Sequence, residues 1–250
     1  MTDKTSLGDR MKIYESVEKY VLPHRMPVIL RIDGKAFHTF TKGFTRPFDF
    51  KLQDCMTAAA TALMKQVQGA QVAYIQSDEI SILLNNYKRF NSSAWFDNKV
   101  QKICSVSASI ATAAFNREMS KFPLHDLPWS DYKDAMFDSR CFTVPHNEVV
   151  NYFTWRQRDA IKNSVSMVAQ TYFSHKELQG KNGNEMKTML QDIDKSWDKV
   201  SSDRRRGWCV IRNQTQVNDT VRNIIQVDRN IPIFGEDRNY IEQYTKQVEE

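Results

Sequence analysis

The first half of the chain alternates short β-rich apolar runs with segments that carry apolar residues at helical spacing. Residues 26–32 and 136–144 are rich in β-branched and aromatic residues, and each run predicts a strand. Residues 49–67 and 98–116 repeat apolar positions every three or four residues, and each segment predicts a helix that buries one face. The first strand stops at Asp33-Gly34, a pair typical of a turn.

A hairpin is predicted between the two helices. Residues 71–75 and 80–84 are short β-rich runs, and Gln76-Ser77-Asp78-Glu79 between them predicts an acidic tip. The order strand, helix, strand, strand, helix, strand predicts an α+β fold of the ferredoxin-like βαββαβ type, with both helices on one sheet face.

The second half, after Pro145, has a different pattern. Residues 148–173 predict a long helix, and the chain then becomes polar and charged. Two short apolar runs and a short acidic helix are predicted within 224–240. We expect a boundary near residue 146, with 147–250 forming a helical and irregular C-terminal appendage wrapped on the first part.

Composition favours a protein of the cytoplasm. The 250 residues are 41% apolar and 26% charged, which is ordinary for a soluble domain. No apolar stretch approaches the roughly 20 residues that span a bilayer, and the polar N-terminal segment is not typical of a secretory signal. The cysteines share no metal-ligand spacing and predict free thiols in a reducing compartment. They are Cys55, Cys104, Cys141 and Cys209.

Clusters of positive charge carry more information than the net charge of +5. Basic residues recur at helical spacings in two segments and form a run beside Gly207. These clusters suit phosphates or RNA, although a solvated helix face explains any one of them equally well. The residues are Lys99, Lys102, Arg156, Arg158, Lys162 and the run Arg204-Arg205-Arg206.

Acidic residues fall at two positions that the predicted topology brings together. Asp33 follows the first strand and Asp78-Glu79 lie at the hairpin tip, so three carboxylates meet at one edge of the sheet. Their mutual repulsion favours divalent cations, and two Mg²⁺ ions about 4 Å apart suit displacement at phosphorus. Gly34 lets a backbone carbonyl approach such an ion. Taken singly, each acidic segment is also explained as a polar turn.

The motifs around these acids resemble those of the tRNA-histidine guanylyltransferase family. The resemblance covers most of the chain and is specific as a combination. Its elements are Arg31-Ile32-Asp33-Gly34, Phe37-His38-Thr39-Phe40, Arg46-Pro47, Asp49, Gln76-Ser77-Asp78-Glu79-Ile80-Ser81, Phe137-Asp138-Ser139-Arg140, Trp155-Arg156-Gln157-Arg158-Asp159, Lys176-Glu177-Leu178, Lys187, Arg206-Gly207 and Ile231-Pro232-Ile233-Phe234.

The resemblance implies a nucleotidyltransferase with the palm fold of polymerases and nucleotide cyclases. Residues 1–146 would be the palm-like catalytic domain, and 147–250 would contribute RNA and triphosphate contacts. ATP would adenylylate the 5′-monophosphate of a tRNA, and the 3′-hydroxyl of an incoming nucleotide, GTP or another, would then displace AMP. The implied partners are tRNA and nucleoside triphosphates, in a homotetramer built as a dimer of dimers that binds no membrane.

The resemblance also assigns site residues. Asp33, Asp78 and Glu79 would be catalytic and, with the Gly34 carbonyl, would hold two Mg²⁺ ions. The positions around the nucleotide would be Lys35, Phe37, His38, Arg46, Asp49 and Ser77. The candidate phosphate and RNA contacts are Lys99, Lys102, Arg156 and Lys187.

One departure from the family pattern changes the expected substrate. Enzymes that add a single guanosine carry His-Ile-Asn-Asn where this chain has Ile161-Lys162-Asn163-Ser164. The sequence therefore looks more like the guanylyltransferase-like 3′-5′ polymerases of bacteria, archaea and phages, and the expected function is template-dependent 5′-end repair of tRNA. The alternatives are dedicated guanosine addition to histidine tRNA, a palm-fold nucleotide cyclase, and a noncatalytic RNA-binding module.

Overall fold

The computed structural model describes residues 6–17, 19–217 and 220–247. Their strands are β1 Val28–Gly34, β2 Ala70–Gln76, β3 Glu79–Leu84, β4 Phe137–Thr143, β5 Trp208–Val217 and β6 Thr220–Asp228. Their α-helices are α1 Leu7–Ser16, α2 Phe37–Phe40, α3 Phe50–Gln66, α4 Val100–Met119, α5 Val149–Tyr172, α6 His175–Leu178, α7 Gly183–Asp192, α8 Ser202–Arg206 and α9 Asn239–Glu242. None of these helices is both long enough and apolar enough to cross a bilayer.

All strands join one antiparallel sheet in the order β4-β1-β3-β2-β5-β6. The predicted strands and helices of the first half are present in the predicted order, and the α+β class is confirmed. The hairpin differs in one detail, because its turn consists of Ser77 and Asp78 alone. Glu79 is the first residue of β3 and lies opposite Gln76 of β2.

The description of the second half as helical and irregular is wrong for residues 208–228. Strand β5 pairs with β2, and β6 pairs with β5, so both extend the sheet of the first half. Among the β5 and β6 side chains whose burial the structure describes, the buried ones are Trp208–Ile211 at the start of β5, so the sequence carries little apolar signal for these strands. Beyond that point polar residues dominate and the apolar alternation is lost. The division at residue 146 stays a proposal.

Different helices pack on the two faces of the sheet. Alternation along β1 sends Leu30 and Ile32 towards α3 and α4, where they join the larger apolar core. Ile29 faces the other way, into a second core that includes Phe153 of α5. Arg31 and Asp33 share the parity of Ile29 and therefore lie on the α5 side. This alternation decides which charged residues meet α5.

Candidate active site

Strand β1 and the β2–β3 turn meet at one end of the sheet. Asp33 lies opposite Glu79 of β3 and opposite Asp138 of β4. The Gly34 amide donates a hydrogen bond to the Asp78 carbonyl, 3.1 Å away. The backbone thus brings Asp33, Gly34 and Asp78 together, as their positions in the sequence predict.

The pKa values of Asp33 and Asp78 are both raised, chiefly by burial. Burial raises the pKa of Asp78, and the charges of Asp33 and Glu79 raise it further against an opposing hydrogen bond from Ser77. Burial also raises the pKa of Asp33, as does the charge of Glu79, while Arg31 opposes them. A cation between the two aspartates would relieve both penalties.

Glu79 is engaged differently from the two aspartates. Its side chain is buried. Arg156 donates two hydrogen bonds to it, from Nε to Oε1 and from Nη2 to Oε2, each 2.7 Å long. Arg31 approaches Oε2 at 2.8 Å, and Gln76 and Ser81 donate to Oε1. The carboxylate therefore has a full set of partners. In the part of the chain that the structure describes, no three His, Cys, Asp or Glu side chains form a group suited to a metal ion.

Arg156, expected as a phosphate or RNA contact, lies in this same buried network. It is 6% exposed, pairs with Asp159 at 3.2 Å, and stacks 4.6 Å from the Trp155 ring centroid. Its hydrogen bonds to Glu79 raise its pKa against the cost of burial. The structure thus shows Arg156 bracing Glu79 from α5.

A cavity of about 520 Å³ opens beside the acids. Its walls come from the end of β1, α2, the segment before α3, the β2–β3 turn, α5 and the α8–β5 junction. Apolar and polar side chains both line it, a combination typical of small-molecule sites. The apolar lining includes Phe37, Phe48, Leu52, Met56, Met167 and Trp208, and the polar lining includes His38, Asp49, Gln53, Ser77, Asp78, Asn163, Ser164 and Arg204.

The predicted nucleotide residues divide between the cavity and its surroundings. Gly34, Phe37, His38, Asp49, Ser77 and Asp78 line the cavity. Lys35 and Arg46 are exposed and do not line it. Asp33 is not among the lining residues, and it lies on the α5 face of the sheet.

Two of the lining residues, Phe37 and Asp49, also stabilise the fold, which the sequence did not predict. Phe37 packs in an aromatic cluster, 5.6 Å from the ring centroid of Phe115, and a Cβ added at Gly34 would lie 2.2 Å from the Phe37 ring. Asp49 caps α3, because its carboxylate accepts from the amides of Lys51 at 2.8 Å and Thr45 at 3.0 Å.

The remaining basic candidates lie outside the cavity lining. Lys99 pairs with exposed Asp97 at 3.3 Å, and Lys102 lies 5.8 Å from the ring centroid of Phe96. Lys187 lies 4.1 Å from the Trp197 ring centroid. The structure does not bring these three lysines to the acids.

Sequence reasoning gave no individual site role to Arg31 or Arg204, both of which the structure places at the site. Arg31 precedes Asp33 by two residues, so strand alternation was the signal that puts both on one face. Arg204 stood out only as part of a run of three arginines. Nothing in that run distinguishes the residue that lines the cavity.

Comparisons with known proteins identify the family of the chain. A family model described as tRNAHis guanylyltransferase matches residues 8–145, more than half of the chain. The chain resembles the solved structure of a bacterial tRNA(His) guanylyltransferase (Thg1)-like protein in complex with ATP, at 44% identity and a TM-score of 0.88. That match covers 97% of this chain and 100% of the other.

Two further relatives are consistent with the first. A bacterial Thg1-like protein in complex with GTP is 43% identical with a TM-score of 0.83, over 96% of this chain and 99% of the other. The tRNA(His) guanylyltransferase of Schizosaccharomyces pombe is 32% identical over 159 residues, which cover 62% of this chain and 56% of that protein. The chain belongs to the tRNA(His) guanylyltransferase family and is therefore a nucleotidyltransferase.

Proposed function

We propose that the protein adds nucleotides to the 5′ end of tRNA in the 3′-5′ direction, directed by the opposite strand, as a 5′-end repair enzyme. The observation that carries this proposal is the cavity of about 520 Å³ with Gly34 and Asp78 in its wall. It occurs in a chain whose solved relatives were captured with ATP and with GTP.

The fold supports a palm-like catalytic domain in residues 1–146. Within the sheet, the first four strands have the order β4-β1-β3-β2, which is that of a ferredoxin-like βαββαβ unit. The acids then lie at the end of a central strand and at the adjacent hairpin turn. Residues 147–250 contribute α5, α8 and the far wall of the cavity.

Asp33, Asp78 and the Gly34 carbonyl fit a magnesium site. All are hard oxygen donors. Burial is the main cause that raises the pKa of both aspartates, and Arg31 at 3.8 Å and Arg140 at 4.0 Å partly offset the charge of Asp33. Mg²⁺, as two ions, would neutralise charge on the phosphates during displacement. We assign Glu79 to positioning rather than to metal contact, because Arg156 and Arg31 already occupy its oxygens.

The proposed reaction consists of two displacements at phosphorus. An oxygen of the RNA 5′-monophosphate attacks the α-phosphorus of ATP, and pyrophosphate leaves. The 3′-hydroxyl of the incoming nucleoside triphosphate then attacks the 5′-phosphorus and loses its proton, and AMP leaves. The protein's part is to position the reactants and to hold fixed charges near the phosphates.

The departure at Ile161-Lys162-Asn163-Ser164 supports repair over dedicated guanosine addition. Ser164 is buried, accepts from Trp197 Nε1 at 3.0 Å and donates to the Arg205 carbonyl at 2.9 Å. Its side chain therefore ties α5 to the segment after α7. Because the Ser164 hydroxyl is occupied within the fold, we propose that base pairing to the template chooses the nucleotide.

The test uses a tRNA that lacks its first nucleotide and carries a 5′-monophosphate. With Mg²⁺, ATP and all four nucleotides, the product should be one nucleotide longer, and its new base should follow the opposite base when that base is changed. A guanosine added regardless of the opposite base would instead identify a dedicated histidine-tRNA enzyme. Release of a cyclic nucleotide without RNA would identify a cyclase.

Folded protein that extends no tRNA would exclude the proposed activity. Asp33→Asn and Asp78→Asn should abolish extension, and Asp97→Asn, at an exposed pair away from the cavity lining, should leave it unchanged. The homotetramer and the cytoplasmic location stay proposals, and sedimentation of the purified protein tests the first.

A further inference from the structure

We infer that Arg204 binds the terminal phosphates of the nucleoside triphosphate, which leave as pyrophosphate in the first displacement. The inference rests on the proposed function in that it takes the cavity as the nucleotide site. It concerns a residue on α8, in the second half of the chain, rather than the acids at the turn.

Arg204 differs from the other described lining residues in its positive charge. Among the lining residues that the structure describes, it is the one Arg or Lys. Its guanidinium carbon lies 5.9 Å from the centroid of the Phe48 ring, which also lines the cavity. Within the described ranges, no carboxylate forms an ion pair with it. A polyanion entering the cavity therefore meets a cation whose charge is not already compensated.

The neighbours of Arg204 are engaged elsewhere. Asp203, the other charged residue of this wall, pairs with Arg229 at 3.3 Å. Arg205 lies 3.8 Å from Asp198 and 5.1 Å from the Trp197 ring centroid. Arg206 has its pKa lowered by burial and by Arg205. Of the three consecutive arginines, Arg204 is the one that lines the cavity.

The backbone that carries Arg204 is fixed close to the acidic turn. Gly207 has φ +80°, and a Cβ there would lie 2.3 Å from the Ile75 carbonyl oxygen. The Tyr74 hydroxyl donates to the Arg206 carbonyl at 2.7 Å. Asp78 follows Ile75 by three residues, at most about 10 Å of strand. The end of α8 is thus seated against β2 next to the turn that holds Asp78.

From this placement we assign different phosphates of the triphosphate to the acidic turn and to α8. The phosphate under attack is placed beside Gly34 and Asp78, which line the cavity and next to which a cation would be held. Arg204, on the α8 wall, then receives the phosphates beyond it. A planar guanidinium suits this task because it donates two parallel hydrogen bonds to phosphate oxygens. It would hold the triphosphate for attack and stabilise the departing pyrophosphate.

The test compares binding of ATP, AMP and inorganic pyrophosphate by calorimetry in Mg²⁺. Arg204→Gln should weaken ATP and pyrophosphate binding by about tenfold or more, the usual scale for charge-assisted hydrogen bonds, and change AMP binding by less than about twofold. Arg204→Lys should bind ATP and pyrophosphate with affinities between those of wild type and Arg204→Gln, because lysine keeps the charge but cannot donate two parallel hydrogen bonds. Arg117→Gln, an equal change of charge on the exposed side of α4, should alter none of the three affinities.

Several results would overturn the inference. Equal losses for AMP and ATP would place Arg204 against the nucleoside instead. Unchanged ATP affinity with a raised KM for tRNA would make it an RNA contact. Unchanged affinities throughout would remove it from the site. Because these are binding measurements, a wild-type protein that binds ATP but extends no RNA would refute the proposed function and leave the Arg204 assignment standing.

Discussion

The clearest quantitative test concerns the buried ion pair between Glu79 and Arg156. Glu79→Gln keeps the side-chain volume and removes the charge, which leaves buried Arg156 with the partly exposed Asp159 as its ion-pair partner and Arg31 without its 2.8 Å partner. Removing one member of a buried pair costs about 3–5 kcal/mol, because the remaining charge cannot return to water.

That loss is large for a domain whose total stability is of the order of 5–15 kcal/mol. At roughly 2–4 °C per kcal/mol for a chain of this size, the melting temperature should fall by about 6–20 °C. Urea unfolding followed by tryptophan fluorescence gives the free energy directly. Asp97→Asn, which breaks the exposed pair with Lys99, serves as the control and should cost at most about 1 kcal/mol.

A double-mutant cycle separates the pair from its surroundings. Arg156→Met alone should also destabilise, and the Glu79→Gln/Arg156→Met protein should lose less than the sum of the single losses by about 1–3 kcal/mol. If Glu79→Gln unfolds within about 1 kcal/mol of wild type, the buried-pair reasoning is refuted. A Glu79→Gln protein of full stability that no longer responds to Mg²⁺ would return Glu79 to the metal ligands.

Three further predictions concern the acidic turn and its support. Since burial and neighbouring charges raise the pKa of Asp78 in the folded state, its ionisation costs stability as pH rises from about 4, the unfolded-state pKa, through the folded-state pKa. Without divalent ions, Asp78→Asn should therefore melt above wild type at pH 7, and the difference should shrink towards pH 4; a lower melting temperature at pH 7 would contradict the assigned cause. Adding Mg²⁺ should raise the melting temperature of wild type more than that of Asp78→Asn, and equal rises would remove Asp78 from the proposed magnesium site. Gly207→Ala should destabilise by more than about 1 kcal/mol, because the new Cβ meets the Ile75 carbonyl and φ is +80°, whereas Gly183→Ala, with nothing within 4 Å, should be tolerated. Equal melting temperatures for the two alanine variants would disprove the close approach.

Local sequence patterns were sufficient for the first half of the fold. The spacing of apolar residues predicts helix α3 and strand β1. The βαββαβ order follows from the sequence of predicted strands and helices. The same patterns failed for β5 and β6, whose outer halves pair only with each other. Beyond Ile211 polar residues interrupt the apolar alternation, so the strands are recognised by their pairing along the edge of β2 that they extend.

The acids show the same division at the level of single residues. The sequence by itself determined that Asp33, Gly34 and Asp78 would meet, because a strand end and an adjacent hairpin turn are neighbours in this topology. Only the tertiary structure decided that Glu79 pairs with Arg156, 77 residues along the chain. The physical reason is that Asp78 and Glu79, although adjacent, belong to different elements. Asp78 is in the turn, whereas Glu79 is already in the strand, where alternation points it at α5 and burial demands a partner for its charge.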